Sequence, residues 1–360
     1  MLPTSLIRLG FRATVPLLLL TSARAQQSAA SLITDQHYRR AEPIVRAALE
    51  RQPQNIAALV ELSTIEWSYG DLDKAQAIAE KAVSIADGSS AAHAQLVNIL
   101  GAKLAGKKSG TMEKLSLSRR FRKEAERTLQ LDPNNVYAHE ALARYSWYAP
   151  SLAGGDKTKA MQMVEEVIHL DSTRGYALKA ELDATQNSGE VLTDWKEAVA
   201  AQPASYRAHT GLGNCLLSAE SWKSAEEEAR KAISIDPSRI AAYRLLAAVY
   251  AGTQQWQKLD VVIHAARAAV PDDPGAEFAA AHIILEKNLQ TQFARAEEYL
   301  RNYLVLPSEG LEPTAAVAHW QLGLVLEKEG RRGTALQEVQ AAAGLDPSLD
   351  GARHDAKRLQ

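Results

Sequence analysis

The chain has 360 residues, enough for two or three globular domains or for one long array of repeats. Its 41 basic and 43 acidic residues leave a formal net charge of -2, which gives no electrostatic argument for binding nucleic acid or an anionic membrane surface. Aromatic residues make up only 6% of the chain and runs of Val and Ile are sparse, so the composition favours an all-helical protein.

Residues 1–25 have the organisation of a secretory signal peptide. Arg8 and Arg12 precede a short apolar run, and the small residues Ala23 and Ala25 stand before the expected cleavage site. The apolar run is too short to span a bilayer. We therefore expect cleavage after Ala25 and an exported chain, periplasmic or secreted, with no membrane span. Its net charge would be -5, because cleavage removes three arginines and no acid.

The rest of the chain is dominated by an internal repeat. Leu212, Trp222, Ala232 and Pro237 each recur 34 residues later, as Leu246, Trp256, Ala266 and Pro271. Similar spacings run through the segments that begin at Ile56 and Ala316. We predict an N-terminal cap with a partial repeat at 26–55, a solenoid of about eight units at 56–349 and a C-terminal tail at 350–360, all in one domain.

One period contains two helices. In the unit that begins at Tyr206, Leu212, Leu216 and Leu217 follow helical spacing in the first half, and Ala225 and Ala229 do so in the second. Small residues at positions 8, 20 and 27 of the period allow the helices to approach closely. Asp-Pro pairs end several units, because proline does not continue a preceding helix.

The period, the small-residue positions and the terminal proline resemble the tetratricopeptide repeat, over roughly residues 35–350. The resemblance implies an all-α, right-handed superhelical solenoid of antiparallel helix pairs. The stretch from Met112 to Ala160, with its "AP...GGD..KA" loop, is also similar to uncharacterised exported bacterial proteins of this type. That second resemblance implies membership of a group without implying a reaction.

In tetratricopeptide proteins, positions 2, 5, 9, 12 and 13 of each unit usually point into the concave groove. Carried onto this sequence, the resemblance places these residues there: Trp67, Asn98, Tyr137, Glu140, Arg144, Trp147, Tyr148, Arg207, Asn214, Arg244 and Trp320. The unit from Val136 is the richest, with a tryptophan, two tyrosines and an arginine on one face, a set suited to anchoring a peptide or a partner helix. The alternative is that Trp147 and Tyr148 only cover the loop that follows them.

That loop, "PSLAGGDKTK" at 150–159, has some residues of a phosphate-binding loop. However, Asp156 separates Gly155 from Lys157, the first glycine of the motif is missing, and a carboxylate repels phosphate. The favoured interpretation is a long bend between two helices, with Asp156 as the cap of the second helix.

No residue pattern points to catalysis or to a cofactor. Four histidines share position 4 of their units, so the ~8–10 Å spacing of stacked helices keeps them from sharing one metal ion, and we interpret them as packing residues. Their positions are His93, His139, His209 and His319. Cys215 is the only cysteine and falls on an inward-facing stretch. The basic run from Lys114 also carries acids and is expected to be a solvated face.

The sequence therefore predicts an exported, non-catalytic scaffold that binds a protein or peptide in its concave groove, without a cofactor, a metal or nucleic acid. One alternative is a small-molecule-binding accessory of an envelope transport system, with a ligand near Tyr137 to Tyr148. The other is an enzyme without a recognisable motif. The residues carry no signal for the partner's identity, the pathway or the oligomeric state.

Overall fold

The computed structural model describes residues 28–106, 111–186, 189–306 and 313–360. The expected signal peptide lies outside these residues. Within them the ordered elements are α-helices joined by short turns, with two single 3-10 turns and no strand. The helices are α1 (Ala29–Thr34), α2 (Tyr38–Arg51), α3 (Ile56–Ser68), α4 (Leu72–Ile85), α5 (Ser90–Ala105), α6 (Thr111–Leu131), α7 (Val136–Tyr148), α8 (Lys157–Leu170), α9 (Ser172–Ala184), α10 (Val191–Ala201), α11 (Tyr206–Ser218), α12 (Trp222–Ile235), α13 (Ile240–Gly252), α14 (Trp256–Ala269), α15 (Gly275–Glu286), α16 (Phe293–Val305), α17 (Ala315–Lys328), α18 (Arg332–Leu345) and α19 (Asp350–Leu359).

The odd-numbered helices from α1 to α17 are the first helices of successive antiparallel pairs, and the even-numbered helices are the second. A polar residue fixes the start of many of them. Asn55, Asn135 and Ser205 each accept a hydrogen bond from the backbone N–H three residues further on, which satisfies a donor that the first turn otherwise leaves free. These caps set the boundaries at almost the same position in each pair.

Alanine makes the close packing within and between pairs possible. Ala75, Ala79 and Ala82 of α4 have no exposed surface, and neither do Ala225 and Ala229 of α12. A methyl side chain buries apolar area without pushing the neighbouring helix away. The pairs stack side by side into a right-handed superhelical solenoid with a core that runs from pair to pair, and the fold class predicted from the sequence is confirmed.

Regular stacking is interrupted between the seventh and eighth pairs. Here α13 packs most extensively against α15, the first helix of the next pair, rather than against its own partner α14. Both helices are buried on nearly every side, with Leu245, Val249 and Ile284 almost fully covered.

The segment at 350–360, expected to be a tail, is instead the helix α19, which packs on α18. Ala352, Ala356 and Leu359 lie on one face of α19 and are buried against the end of the solenoid. The side chain of Arg332 also donates a hydrogen bond to the carbonyl oxygen of Leu359. The last apolar face of an array needs a cover, and this helix provides it. At the other end α1 packs on α2 and α3.

Candidate binding surface

The first helices α7, α9 and α11 lie next to one another along the inner side of the solenoid. Residues seven positions apart on each helix face the same way, because seven residues make almost two turns. This arrangement gives a surface that we call the concave patch. It consists of Tyr137, Glu140, Arg144 and Tyr148 of α7, Arg174 and Glu181 of α9, and Arg207 and Asn214 of α11.

Glu140 and Arg174 form one tie between α7 and α9. Glu140 is 5% exposed and accepts hydrogen bonds from Arg174 Nε at 2.9 Å and Nη2 at 2.7 Å. Burial disfavours the charge of Arg174, but the hydrogen bonds and the negative charge of Glu140 outweigh it and raise the pKa of the arginine. The same guanidinium lies over the ring of Tyr137, 4.3 Å from its centroid.

Arg144 and Glu181 form a second tie, in which α7 supplies the arginine and α9 supplies the glutamate. Arg144 Nε and Nη2 donate to Glu181 at 2.9 and 2.8 Å, and Nη1 reaches Glu140 at 3.4 Å. Bidentate pairs of this kind fix orientation as well as adding energy. Because α7 and α9 each supply one arginine and one glutamate, these four side chains of the concave patch hold one another in place without a ligand.

Arg207 differs from the other two arginines. Within the described residues its guanidinium makes no hydrogen bond or ion pair. The side chain is accessible to solvent, but surrounding protein atoms partly desolvate the charge, and Arg174 repels it, so the pKa of Arg207 is lowered. A carboxylate placed beside Arg207 would pair its charge and relieve this repulsion. Asn214, two turns further along α11, is exposed on the same face.

Two aromatic rings on the patch are accessible. Tyr137 is 50% exposed and Tyr148 is 55% exposed, and their offset of eleven positions corresponds to about three helical turns, so both face the same side of α7. Tyrosine offers a rigid apolar surface with a polar end, which is common in binding sites.

Trp147 is not part of this accessible surface. It is 7% exposed, its Nε1 donates to Thr185 Oγ1 at 3.0 Å, and Lys157 Nζ lies 4.7 Å from its ring centroid. Its ring therefore packs at the junction of α7 with α8 and α9. Trp147 is thus a packing residue of this junction, whereas Tyr148 is exposed, and the expected role of Tyr148 in anchoring a partner stays a prediction.

The other residues placed in the groove by the repeat pattern lie away from the concave patch. Trp320 packs against Gly351 and donates through Nε1 to Asp355 of α19 at 2.9 Å, so it anchors the C-terminal cap. Trp67, Asn98 and Arg244 are half-buried on other first helices.

The loop after α7 has a structural explanation. Gly154 has a φ of +91°, which a side chain disfavours, and a Cβ on Gly155 would come within 1.8 Å of the carbonyl oxygen of Ala149. Asp156 Oδ1 accepts the backbone N–H of Lys159 at 3.1 Å, which confirms the predicted cap of α8. Both glycines are thus required by the backbone.

Three of the four repeated histidines link the helices of a pair, whereas His139 contacts the carbonyl oxygen of Pro133 in the preceding turn. His209 Nδ1 lies 2.5 Å from Glu228 of α12, and its Nε2 lies 2.8 Å from the carbonyl oxygen of Pro203. His93 and His319 make corresponding contacts with glutamates of their second helices. The sequence interpretation identified packing but missed these partners. Among the described residues, no group of three or more His, Cys, Asp or Glu side chains is placed to hold a metal ion.

Arg174 and Glu181 were not found from the sequence, although they complete both ties of the patch. Their unit is shortened, which obscured the alignment of its positions. The signal that could have found them is the pairing of Thr173 and Arg174 with Tyr206 and Arg207, 33 residues later. The hydroxyl group of Thr173 contacts Gln202 and Ser205 in the turn that follows its unit. The hydroxyl group of Tyr206 likewise donates to the carbonyl oxygen of Arg239 in the turn that follows its own unit.

An array of stacked helix pairs, with polar and aromatic side chains gathered on its inner face, defines the class of helical-repeat proteins. Two family profiles, both described as tetratricopeptide repeat, match residues 32–99 and 191–240. The chain therefore contains tetratricopeptide repeats. In a comparison with curated proteins, none matches.

The structure is similar to the crystal structure of yeast Tom70, with a TM-score of 0.54, 15% identity, and coverage of 92% of this chain and 79% of that one. A human IFIT1 dimer with PPP-AAAA gives a TM-score of 0.45 at 15% identity, covering 88% of this chain and 81% of that one. At these identities the likeness to Tom70 shows the fold alone, and the weaker likeness carries no argument. In the described part of the chain, no helix is both long and apolar enough to cross a bilayer.

Proposed function

We propose that the protein is an exported, non-catalytic scaffold that binds a protein or peptide on its concave face, with the concave patch as the anchoring region. Tetratricopeptide repeats generally mediate protein–protein interaction, and matches to this repeat support the proposal. Export rests on the signal-peptide pattern at 1–25.

One observation carries the proposal: the patch is held in position in advance, yet the guanidinium of Arg207 makes no hydrogen bond or ion pair with another described residue, and two accessible aromatic rings belong to the same patch. Arg144 and Arg174 are committed to Glu181 and Glu140, whereas Arg207 is not committed to any side chain. Arg207 is thus the arginine of the patch that a carboxylate of a partner can pair with, without displacing an existing ion pair. The partner we propose is a segment with an acidic side chain for Arg207 and an apolar side chain for Tyr148.

Pre-organisation explains why such a surface binds rather than merely carries charge. The two ties between α7 and α9 remove much of the side-chain ordering that a partner would otherwise have to impose. A hydrogen-bonded ion pair with Arg207 contributes about 1.5–3 kcal/mol when it is shielded from water. An apolar side chain of the partner that stacks on Tyr148 adds buried apolar area at the edge of the concave patch.

The first test is retrieval of partners from an envelope extract. An Arg207→Ala/Tyr148→Ala variant should lose the proteins that the wild type retrieves. A Lys223→Ala variant, which removes an exposed positive charge from the second helix α12, should retain them. If the double variant retrieves the same proteins in the same amounts, the concave patch is not the binding site.

The second test addresses the acidic segment. A synthetic peptide from the retrieved partner should bind about tenfold more weakly when its carboxylates are replaced by amides, a loss of about 1.4 kcal/mol. The same replacement should have no effect on the Arg207→Ala variant. Export is tested separately by fractionation and by mass measurement of the mature protein, which should begin at Gln26.

A further inference from the structure

The beginning of α2 contacts two loops that lie more than 200 residues later in the chain. His37 Nε2 donates to the carbonyl oxygen of Ser238 at 3.1 Å, and Arg39 Nη1 donates to the carbonyl oxygen of Asp272 at 3.2 Å. The guanidinium of Arg40 pairs with the carboxylate of Asp272. We call this set of contacts the latch.

The position of the latch shows how the array curves. His37 lies in the turn between α1 and α2, on one edge of the first pair. Ser238 lies in the turn between α12 and α13, and Asp272 in the turn between α14 and α15. The first pair has therefore come round to the turns on either side of the seventh pair, and one superhelical turn is closed edge to edge. We call the inner side of this turn, which carries the concave patch, the lumen.

The chemistry of the latch differs from that of the joints between neighbouring pairs. Charged and polar groups meet there: His37, Arg39 and Arg40, with Asp35 nearby, face Asp272, Asp273 and Arg244. His37 is 3% exposed and Asp273 is 7% exposed, so the contact is tight.

This difference determines which joint opens first. Neighbouring pairs are joined by buried apolar surface, which salt does not weaken, whereas the Arg40–Asp272 ion pair, whose arginine side chain is 37% exposed, is weakened by salt. The latch also joins elements that are distant in sequence, so opening it leaves every pair stacked on its neighbours. The array can therefore open here without unfolding.

We infer that the latch is a releasable closure of the lumen. When it is closed, the concave patch can be reached only by a slender segment that enters along the superhelical axis. When it is open, the solenoid relaxes and the patch becomes accessible from the side to bulkier molecules. The inference concerns the fold of this chain and stands independently of the proposed function.

Access to the lumen can be measured without a binding partner. In a Cys215→Ser background, Asn214→Cys places a thiol on the concave patch, and Glu227→Cys places a matched thiol on the exposed side of α12. Each thiol is labelled with N-ethylmaleimide and with a maleimide carrying a long polyethylene glycol chain. The measured quantity is the ratio of the bulky-reagent rate to the small-reagent rate.

With the latch closed, this ratio should be severalfold lower at position 214 than at position 227. Arg40→Asp places a second carboxylate beside Asp272 and should open the latch by charge repulsion. This variant should raise the ratio at position 214 to that at 227, and so should high salt. The charge swap Arg40→Asp/Asp272→Arg should restore the low ratio. Circular dichroism confirms that each variant keeps its helices, and Asp272→Asn serves as a milder variant if Arg40→Asp does not fold. Equal ratios at both positions in the parent, or a ratio at 214 that neither salt nor the Asp272→Asn change raises, would overturn the inference.

Discussion

Replacing Gly175 by alanine should destabilise the protein, although alanine is the better helix former. Gly175 lies where α9 crosses α8, and a Cβ added there would be 2.4 Å from both the backbone N and the Cα of Ile168. Backbone atoms cannot rotate away as a flexible side chain can, so the two helices must separate. Helix propensity favours alanine by about 1 kcal/mol, whereas overpacking of a close contact costs about 1–3 kcal/mol or more. We expect a net loss of about 1–2 kcal/mol.

Gly344 provides the matched control. It lies in the last turn of α18, and a Cβ added there would meet no atom within 4 Å. Gly344→Ala should therefore stabilise the protein by up to about 1 kcal/mol, because only the propensity term remains. The same substitution at two helical glycines is thus expected to have opposite signs.

Urea denaturation monitored by circular dichroism gives the two changes in stability, and hydrogen exchange reports the loosening of α8 and α9 directly. The adjacent Arg174 gives a further readout, since separation of α8 and α9 should weaken binding through the concave patch. If Gly175→Ala were as stable as the wild type, or if both variants shifted in the same direction, the argument from close backbone approach would be wrong.

Three further outcomes can be measured. Asp156→Ala removes the cap of α8 and should cost about 1 kcal/mol in urea denaturation. Burial raises the pKa of Asp273 to about 6, above its usual 3.8, so its favourable contribution to folding is complete below about pH 4 and is lost as the pH rises through 6. The free energy of unfolding of the wild type, relative to that of Asp273→Asn, should therefore fall by up to about 3 kcal/mol between about pH 4 and pH 7. A difference between the two proteins that does not change with pH would contradict the burial argument. Glu228→Gln weakens the contact with His209 and should cost about 1–2 kcal/mol by thermal or urea unfolding, whereas Glu227→Gln on the exposed side should be close to neutral.

The position of the concave patch was only partly accessible from the sequence. The repeat register identified Tyr137, Arg144, Tyr148, Arg207 and Asn214 as residues of one inner face, and their role in binding stays a prediction. The register could not show that an arginine is already committed to a glutamate of the next helix. That distinction depends on side-chain geometry across two helices, which no single period contains.

The sequence by itself determined the helix pairs and their stacking. Caps such as Asn135, alanines such as Ala229 and the recurring Asp-Pro pairs act within one unit or between neighbours, so a periodic pattern records them. Such local rules recur in every unit and therefore leave a readable signal.

Only the tertiary structure decided that Arg40 meets Asp272, that α13 turns towards α15 and that α19 closes the end of the array. Each pair is rotated slightly relative to the one before, and these small rotations accumulate over several pairs. The position at which the array contacts itself depends on the sum of these rotations. Every packed side chain contributes a little to that sum, so no short stretch of sequence specifies the position.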